Sequence, residues 1–223
     1  MRILIVGATG LVGQGVLLAT HGRPDIASVA LLSRSPVPNA PPQARLMRVE
    51  DFSSARLQAL DLAGLDACIY CAGIAPLGVG ERTYRDATVD MTLRVATAYA
   101  AANPAGRFVY VSGAGANPDS RSMPMRVKGQ AESALNQLSV SCVCVRPGVV
   151  RPVMGSASPH AFRRLVYRLA DPLLRVGSAM APKLFTDSAS LGAALLAVAT
   201  MEHAPAVLEN SDIESVAKAG RSF

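Results

Sequence analysis

Met1-Arg2-Ile3-Leu4-Ile5-Val6-Gly7-Ala8-Thr9-Gly10-Leu11-Val12-Gly13 opens the sequence with an apolar run that feeds directly into three glycines. Ile3 to Val6 is too short and too β-branched for a helix, while Leu11 to Ala19 suits one, so the glycines fall on a strand-to-helix turn. Each has a separate task there. Gly7 permits the tight turn, Gly10 lets the backbone approach a diphosphate, and Gly13 lets the helix pack close to the strand. The amides at the helix start carry the positive end of the helix dipole and suit phosphate oxygens. Gly7, Thr9, Gly10, Leu11, Val12 and Gly13 are therefore the expected cradle of a dinucleotide. The competing reading is a glycine turn with no ligand, and a second strand at the expected distance speaks against it.

Working outward, strands and helices alternate. Strands are expected at Ser28 to Ser33, Arg45 to Val49, Asp66 to Ala72, Arg107 to Ser112 and Val140 to Val145. Helices are expected near Ser53 to Leu60, over Thr83 to Asn103 and from Met125 to Leu138. Repeated βα units with right-handed crossovers predict an α/β fold with a doubly wound parallel sheet of the Rossmann kind. After Gly148 the pattern changes to a loop from Pro152 to Pro159. A basic segment follows, in which Phe162, Leu165, Val166 and Leu169 make an apolar stripe beside Arg163, Arg164 and Arg168, and then a helix from Thr186 to Thr200. Residues from about 149 to 223 are expected to form a small helical substrate cap on a single domain, since 223 residues are too few for two ordinary domains.

Composition narrows the partners. Hydrophobic residues make up 50% of the sequence, much of it alanine, yet no apolar stretch reaches a membrane span. Gly7 to Gly13 interrupts the opening run before a signal-peptide core can form, so a cytoplasmic protein is expected. Cys68 and Cys71 on one strand would face opposite ways, and Cys142 and Cys144 would share a face, which reads as core cysteines. No cluster has zinc spacing, and no metal is expected. The net charge is +6, but aromatics are only 4% and no recognition motif is present, so nucleic-acid binding is not expected. The basic segment reads as a solvated helix face, with an anionic ligand or weak membrane contact as alternatives.

Ligands of such a sheet bind at the carboxyl ends of the strands. Those tips are Gly7, Ser33-Arg34, Asp51-Phe52, Cys71-Ala72-Gly73, Ser112-Gly113 and Arg146-Pro147-Gly148, with Val149 next. An NAD site commonly places a carboxylate at the second tip and an NADP site an arginine. Ser33 and Arg34 stand there with no acid, so NADP is expected ahead of NAD. Asp51, beside Phe52, either accepts from an adenine amino group or caps the helix beginning at Ser53.

Gly7-Ala-Thr-Gly-Leu-Val-Gly13, Cys71-Ala-Gly73, Val109-Tyr-Val-Ser-Gly113, Val127-Lys-Gly129 and Arg146-Pro-Gly148, in this order and spacing, resemble the short-chain dehydrogenase/reductase superfamily over most of the sequence. The resemblance is closer to its atypical branch, which includes the Tat-interacting tumour-suppressor reductase-like proteins and small bacterial epimerase/dehydratase-like proteins. It implies a nicotinamide cofactor, with Lys128 holding its ribose and Ser112 binding a substrate oxygen. Active members place a proton-donating tyrosine four residues before the lysine; here that residue is Pro124. Asp90 falls where many relatives have asparagine. Water, Lys128, Tyr167 or His160 are the remaining proton sources, and His160 reads equally as a surface residue. Arg151 either binds an anionic substrate or makes a structural salt bridge. The resemblance thus implies an NADP(H)-dependent oxidoreductase acting on a small carbonyl or sugar-nucleotide-like substrate, or else a non-catalytic NADP(H)-sensing partner protein. Superfamily members often dimerise through the helices here spanning Thr83 to Asn103 and Met125 to Leu138, whose alanine-rich faces can equally pack on the sheet.

Overall fold

The computed structural model describes residues 1–153 and 184–220. Seven parallel strands form the main sheet: β1 (Arg2–Val6), β2 (Ser28–Ser33), β3 (Arg45–Arg48), β4 (Ala67–Tyr70), β5 (Arg107–Val111), β6 (Ser141–Arg146) and β9 (Val207–Glu209). Their spatial order is β3-β2-β1-β4-β5-β6-β9. The chain runs outward from β1 to β3 and then returns to the other side of β1. The crevice between the β1 and β4 tips is therefore the topological switch point, where open α/β sheets take their ligands.

Strand side chains alternate between two cores. Leu4, Val6, Cys68, Tyr70, Phe108 and Tyr110 face one way, whereas Ile3, Ile5, Ile69 and Val109 face the other. Both faces are covered, which explains why these strands read as continuous apolar runs. The first face carries α2 (Ser54–Gln58), α3 (Glu81–Arg85), α4 (Met91–Ala102) and α5 (Met123–Leu135). The second carries α1 (Leu11–Thr20), α6 (Ser188–Thr200) and α7 (Asn210–Ala219). Cys68 and Cys71 pack on opposite faces, and Cys142 and Cys144 on the same one, as expected from strand alternation.

Three details differ from the sequence expectation. The long helix contains a π-helical turn at Asp86–Asp90 between α3 and α4, a widening that periodicity does not register. Thr186 and Asp187 belong to β8 (Phe185–Asp187), which pairs in parallel with β7 (Val149–Arg151) as a separate two-stranded sheet. The helix starts at Ser188, two residues later than expected, because Asp187 Oδ1 accepts the amides of Ala189 at 2.9 Å and Ser190 at 2.8 Å, capping it there. The described C-terminal residues also belong to the body of the fold: β9 extends the sheet and α6 packs along α1. At that helix crossing a Cβ on Gly15 would strike the Ser188 carbonyl, and one on Gly192 would strike Gly15. The basic segment with Arg163, Arg164 and Arg168, together with His160 and Tyr167, lies outside the described residues.

Candidate active site

The glycine turn is built as its spacing demands. Gly7 has φ +84°, and a Cβ there would lie 2.5 Å from the Ala72 nitrogen, so the turn abuts the segment after β4. At Gly13 a Cβ would collide with the Gly7 carbonyl and lie 2.7 Å from the Ala8 Cα, which fixes how closely α1 approaches β1. Gly10 caps α1 and donates to the Gly7 carbonyl at 2.9 Å. A Cβ on Gly10 would meet only the Gly7 carbonyl, at 3.3 Å, leaving its outer side open. Leu11 and Val12 start the helix, where no earlier turn accepts from their amides. Thr9 stands within the turn. A cradle that a single Cβ would fill, beside unused helix amides, fits a dinucleotide diphosphate.

Toward one end of the crevice, Ser33 completes β2. Its hydroxyl donates to the Ser35 carbonyl at 2.8 Å and accepts the Ser35 amide at 3.3 Å, so it shapes the loop that presents Arg34. The exposed Arg34 guanidinium lies 5.9 Å from the Phe52 ring centre, forming a flat cation–aromatic pair. Asp51 Oδ1 accepts the Ser53 amide at 2.8 Å, and the Ser53 hydroxyl together with that amide holds the carboxyl below its ordinary value. That bond closes a turn ahead of α2, whose N-cap is Ser53 with no side-chain capping bond, so Asp51 does not cap the helix as expected. The following proline-rich loop is tied down by Gln14, whose Nε2 donates to the carbonyls of Ala8 at 2.7 Å and Pro38 at 3.0 Å. Gln14 was not singled out from the sequence, although a glutamine among the apolar residues of α1 is a usable signal.

In the middle, the Cys71 amide donates to the Val6 carbonyl at 2.8 Å, closing the β1–β4 tips. Burial pushes the Cys71 thiol up to about 12, so it is a neutral packing group. Ala72 meets Gly7, and Gly73 opens onto free space.

At the far end, Lys128 projects from α5 onto the β5 tip. Its Nζ donates to the carbonyls of Ser112 at 2.7 Å and Val111 at 3.2 Å and lies 5.6 Å from the Tyr110 ring centre. Desolvation brings the ammonium down to about 8, against an opposing pull from Glu132 one turn along the helix. Ser112 is buried and its amide donates to the Val145 carbonyl at 2.8 Å. Its Oγ and the Tyr110 hydroxyl meet no hydrogen-bond partner among the described residues. An orphaned hydroxyl beside a desolvated amine fits a ligand that brings its own polar atoms. Pro147 accepts from the Ala114 amide at 2.9 Å, and the Gly148 amide donates to Asn210 Oδ1 at 2.7 Å, so the loops after β5 and β6 are bonded together and to α7. Val149 begins β7.

Pro124 occupies the first turn of α5, where its missing amide costs nothing. The described tyrosines Tyr70, Tyr84, Tyr99 and Tyr110 are all buried, and burial raises each phenol. Asp90 closes the π-helical turn. Arg151 lies on β7. One functional arrangement escaped the sequence reading. Arg146 donates to both oxygens of buried Glu132, at 3.0 and 2.6 Å, and to Glu209 at 2.8 Å. This network fixes the helix carrying Lys128 against β6 and β9, and its only sequence sign is a glutamate four residues after the lysine.

With this geometry in place, a model of the NAD dependent epimerase/dehydratase family matches residues 3–139, more than half of the sequence. The chain belongs to that family. Among curated relatives, Leucinostatins biosynthesis cluster protein T of Purpureocillium lilacinum is 35% identical over 141 residues, covering 62% of this chain and 52% of that protein. The match therefore spans about half of that relative's length. Protein FMP52, mitochondrial, of Candida albicans is 27% identical over 157 residues, 67% of each chain. Similar solved structures include a short chain dehydrogenase from Burkholderia cenocepacia in complex with NADP, with TM-score 0.65 and 17% identity over 99% of this chain and 94% of that one. UDP-N-acetylglucosamine 4-epimerase from Bacillus cereus has TM-score 0.65 and 16% identity over 96% and 82% of the two chains. At these identities the structural likeness establishes the shared Rossmann-like α/β fold. Among the described residues no helix is long and apolar enough to cross a membrane.

Proposed function

We propose that this epimerase/dehydratase-family chain is an NADPH-dependent oxidoreductase that reduces a carbonyl group. The observation that carries this reading is the Lys128 ammonium held on the Ser112 carbonyl, 2.7 Å away, beside a Ser112 hydroxyl with no partner. In this reading Gly7, Thr9, Gly10, Leu11, Val12 and Gly13 hold the diphosphate, with Cys71, Ala72 and Gly73 as its opposite wall. Ser33 and Arg34 select the 2′-phosphate of NADP over the hydroxyl of NAD, and Asp51 and Phe52 border the adenine. Pro147, Gly148 and Val149 flank the nicotinamide end. The single-domain organisation, with residues from about 149 onward on the substrate side, belongs to the same proposal. So does a cytoplasmic setting, which four free cysteines favour.

NADPH bound in this crevice would supply the hydride that the carbonyl carbon takes up. Ser112 Oγ donates a hydrogen bond to the carbonyl oxygen and orients it. Lys128 then passes a proton from Nζ to that oxygen, giving the alcohol, and recovers a proton from solvent. An amine that titrates near 8 holds a transferable proton at neutral pH, whereas the buried phenols do not ionise there.

Pro124 favours a second reading, in which the chain binds NADPH and signals without turnover. Fluorescence titration with NADPH and NADH, followed by absorbance at the nicotinamide band with aldehydes and ketones, separates the two. Tighter NADPH binding with consumption supports the reductase. Tight binding without consumption leaves the sensor, and no binding of either nucleotide removes both.

A further inference from the structure

One buried side chain bridges two parts of the crevice that the sequence keeps apart. Gln14 is 8% exposed and stands on α1 directly after Gly13. Its Nε2 donates to the Ala8 carbonyl inside the glycine turn at 2.7 Å and to the Pro38 carbonyl, in the loop between β2 and β3, at 3.0 Å. Its Oε1 accepts from Asn39 Nδ2 at 3.3 Å. Both amide protons and the amide oxygen are therefore engaged in one join. Asn39 has φ +57°, a left-handed backbone that asparagine tolerates, so the loop turns back toward α1 at the point where Gln14 holds it.

The stretch between that point and Arg34 decides what the join controls. Ser35-Pro36-Val37-Pro38 holds two residues of fixed φ, and Ser35 and Val37, each preceding a proline, are kept out of helical backbone. The segment is a short stiff rod, set at one end by the Ser33 hydroxyl bonds to Ser35 and at the other by Gln14. Val37 packs against the core face that carries α1. Arg34 projects from the near end of this rod. The glycine turn needs no such support, because Gly7 and Gly13 fix it by direct backbone contact with Ala72 and Ala8. Loss of the Gln14 bonds would thus release the loop and leave the diphosphate cradle standing.

We propose that Gln14 is a positioning residue for cofactor choice: it clips the β2–β3 loop to the glycine turn and so holds Arg34 where the 2′-phosphate of NADPH meets it. This rests on the assignment of Arg34 to the 2′-phosphate made above, and the experiment reads the two separately. Affinities for NADPH and NADH are measured by fluorescence titration on the parent protein, Gln14→Met, Arg34→Ala and the double variant, with melting temperatures alongside. Gln14→Met keeps the side-chain volume and loses both donors. It should weaken NADPH by at least about fivefold and NADH by less than about twofold, since NADH draws on the turn alone. Arg34→Ala should lower the NADPH preference at least as much. Adding Gln14→Met to it should move the NADPH-to-NADH affinity ratio by less than about twofold, because the glutamine acts through the arginine. If Gln14→Met does not fold, Asn39→Gly takes its place. That change suits the left-handed turn, lies on the exposed loop and removes only the bond to Oε1; the ratio should fall about two- to threefold, and an unchanged ratio overturns the proposal. Equal losses of the two nucleotides in Gln14→Met, or a fall in the ratio that persists in the Arg34→Ala background, overturn the proposal and leave the Arg34 assignment. A parent protein that binds NADPH no tighter than NADH, or an Arg34→Ala variant that keeps the parent's ratio, removes that assignment and the proposal with it.

Discussion

At the β2 and β3 tips Arg34 and Asp51 stand in water, the first over the Phe52 ring and the second on a single backbone amide. At the β5 tip, by contrast, Lys128 is half-buried against two carbonyls and Ser112 is buried with a hydroxyl that meets no partner among the described residues. In the proposed reading the adenosine end, whose charges water screens, contributes recognition. The opposite end shifts an ionisation constant by desolvation, which is what proton transfer requires. On that reading one crevice would separate choosing a cofactor from using it.

The largest effect that would break this contrast belongs to Lys128. Lys128→Met should lower carbonyl reduction by roughly 10²–10⁴-fold, the range associated with losing a positioned proton donor, with circular dichroism unchanged. Reduction by the parent protein should fall as pH rises through about 8, because the ammonium is the donor and is lost there. Stability should move the other way. The folded ammonium titrates near 8 and the unfolded one at 10.5, so between them the unfolded chain binds more protons and stability rises with pH. Urea titrations of Lys128→Met should lack that rise.

Next in size is the support beneath the lysine. Arg146→Met leaves Glu132 buried without its cation and should cost about 3–5 kcal/mol in urea unfolding, with Arg146→Met/Glu132→Gln recovering most of it. At the adenosine end, Arg34→Asp should weaken NADPH by roughly 10–100-fold, the worth of a charged hydrogen-bonded contact, and NADH by less than about threefold. Equal losses for the two nucleotides would dissolve the assignment of cofactor choice to this tip. The smallest effect is expected of Asp51→Asn, which keeps the acceptor for the Ser53 amide and should change nucleotide affinity by no more than about threefold. A larger loss would mean that its charge, and not only its bond to the Ser53 amide, serves the ligand.

Legibility followed the same division. The strand-turn-helix of residues 2–20 could be read because β-branched residues, glycine and helix formers follow one another locally, and β2 falls at Ser28–Ser33 as its apolar run indicates. Lys128 was visible through its short Val-Lys-Gly context. Glu132, Arg146 and Glu209 meet only because α5, β6 and β9 become neighbours, a fact that no local pattern encodes. β9 has three residues, too few for any period to emerge, and β7 and β8 pair across a stretch of chain that hides their relation. The π-helical turn escapes for a further reason: one extra residue in a helix leaves composition unaltered.

The glycine-to-glycine crossing of α1 and α6 sets an order of events on the ribosome. The helix that braces the glycine turn is synthesised about 170 residues after it, so the turn is left unbraced until translation has passed residue 200.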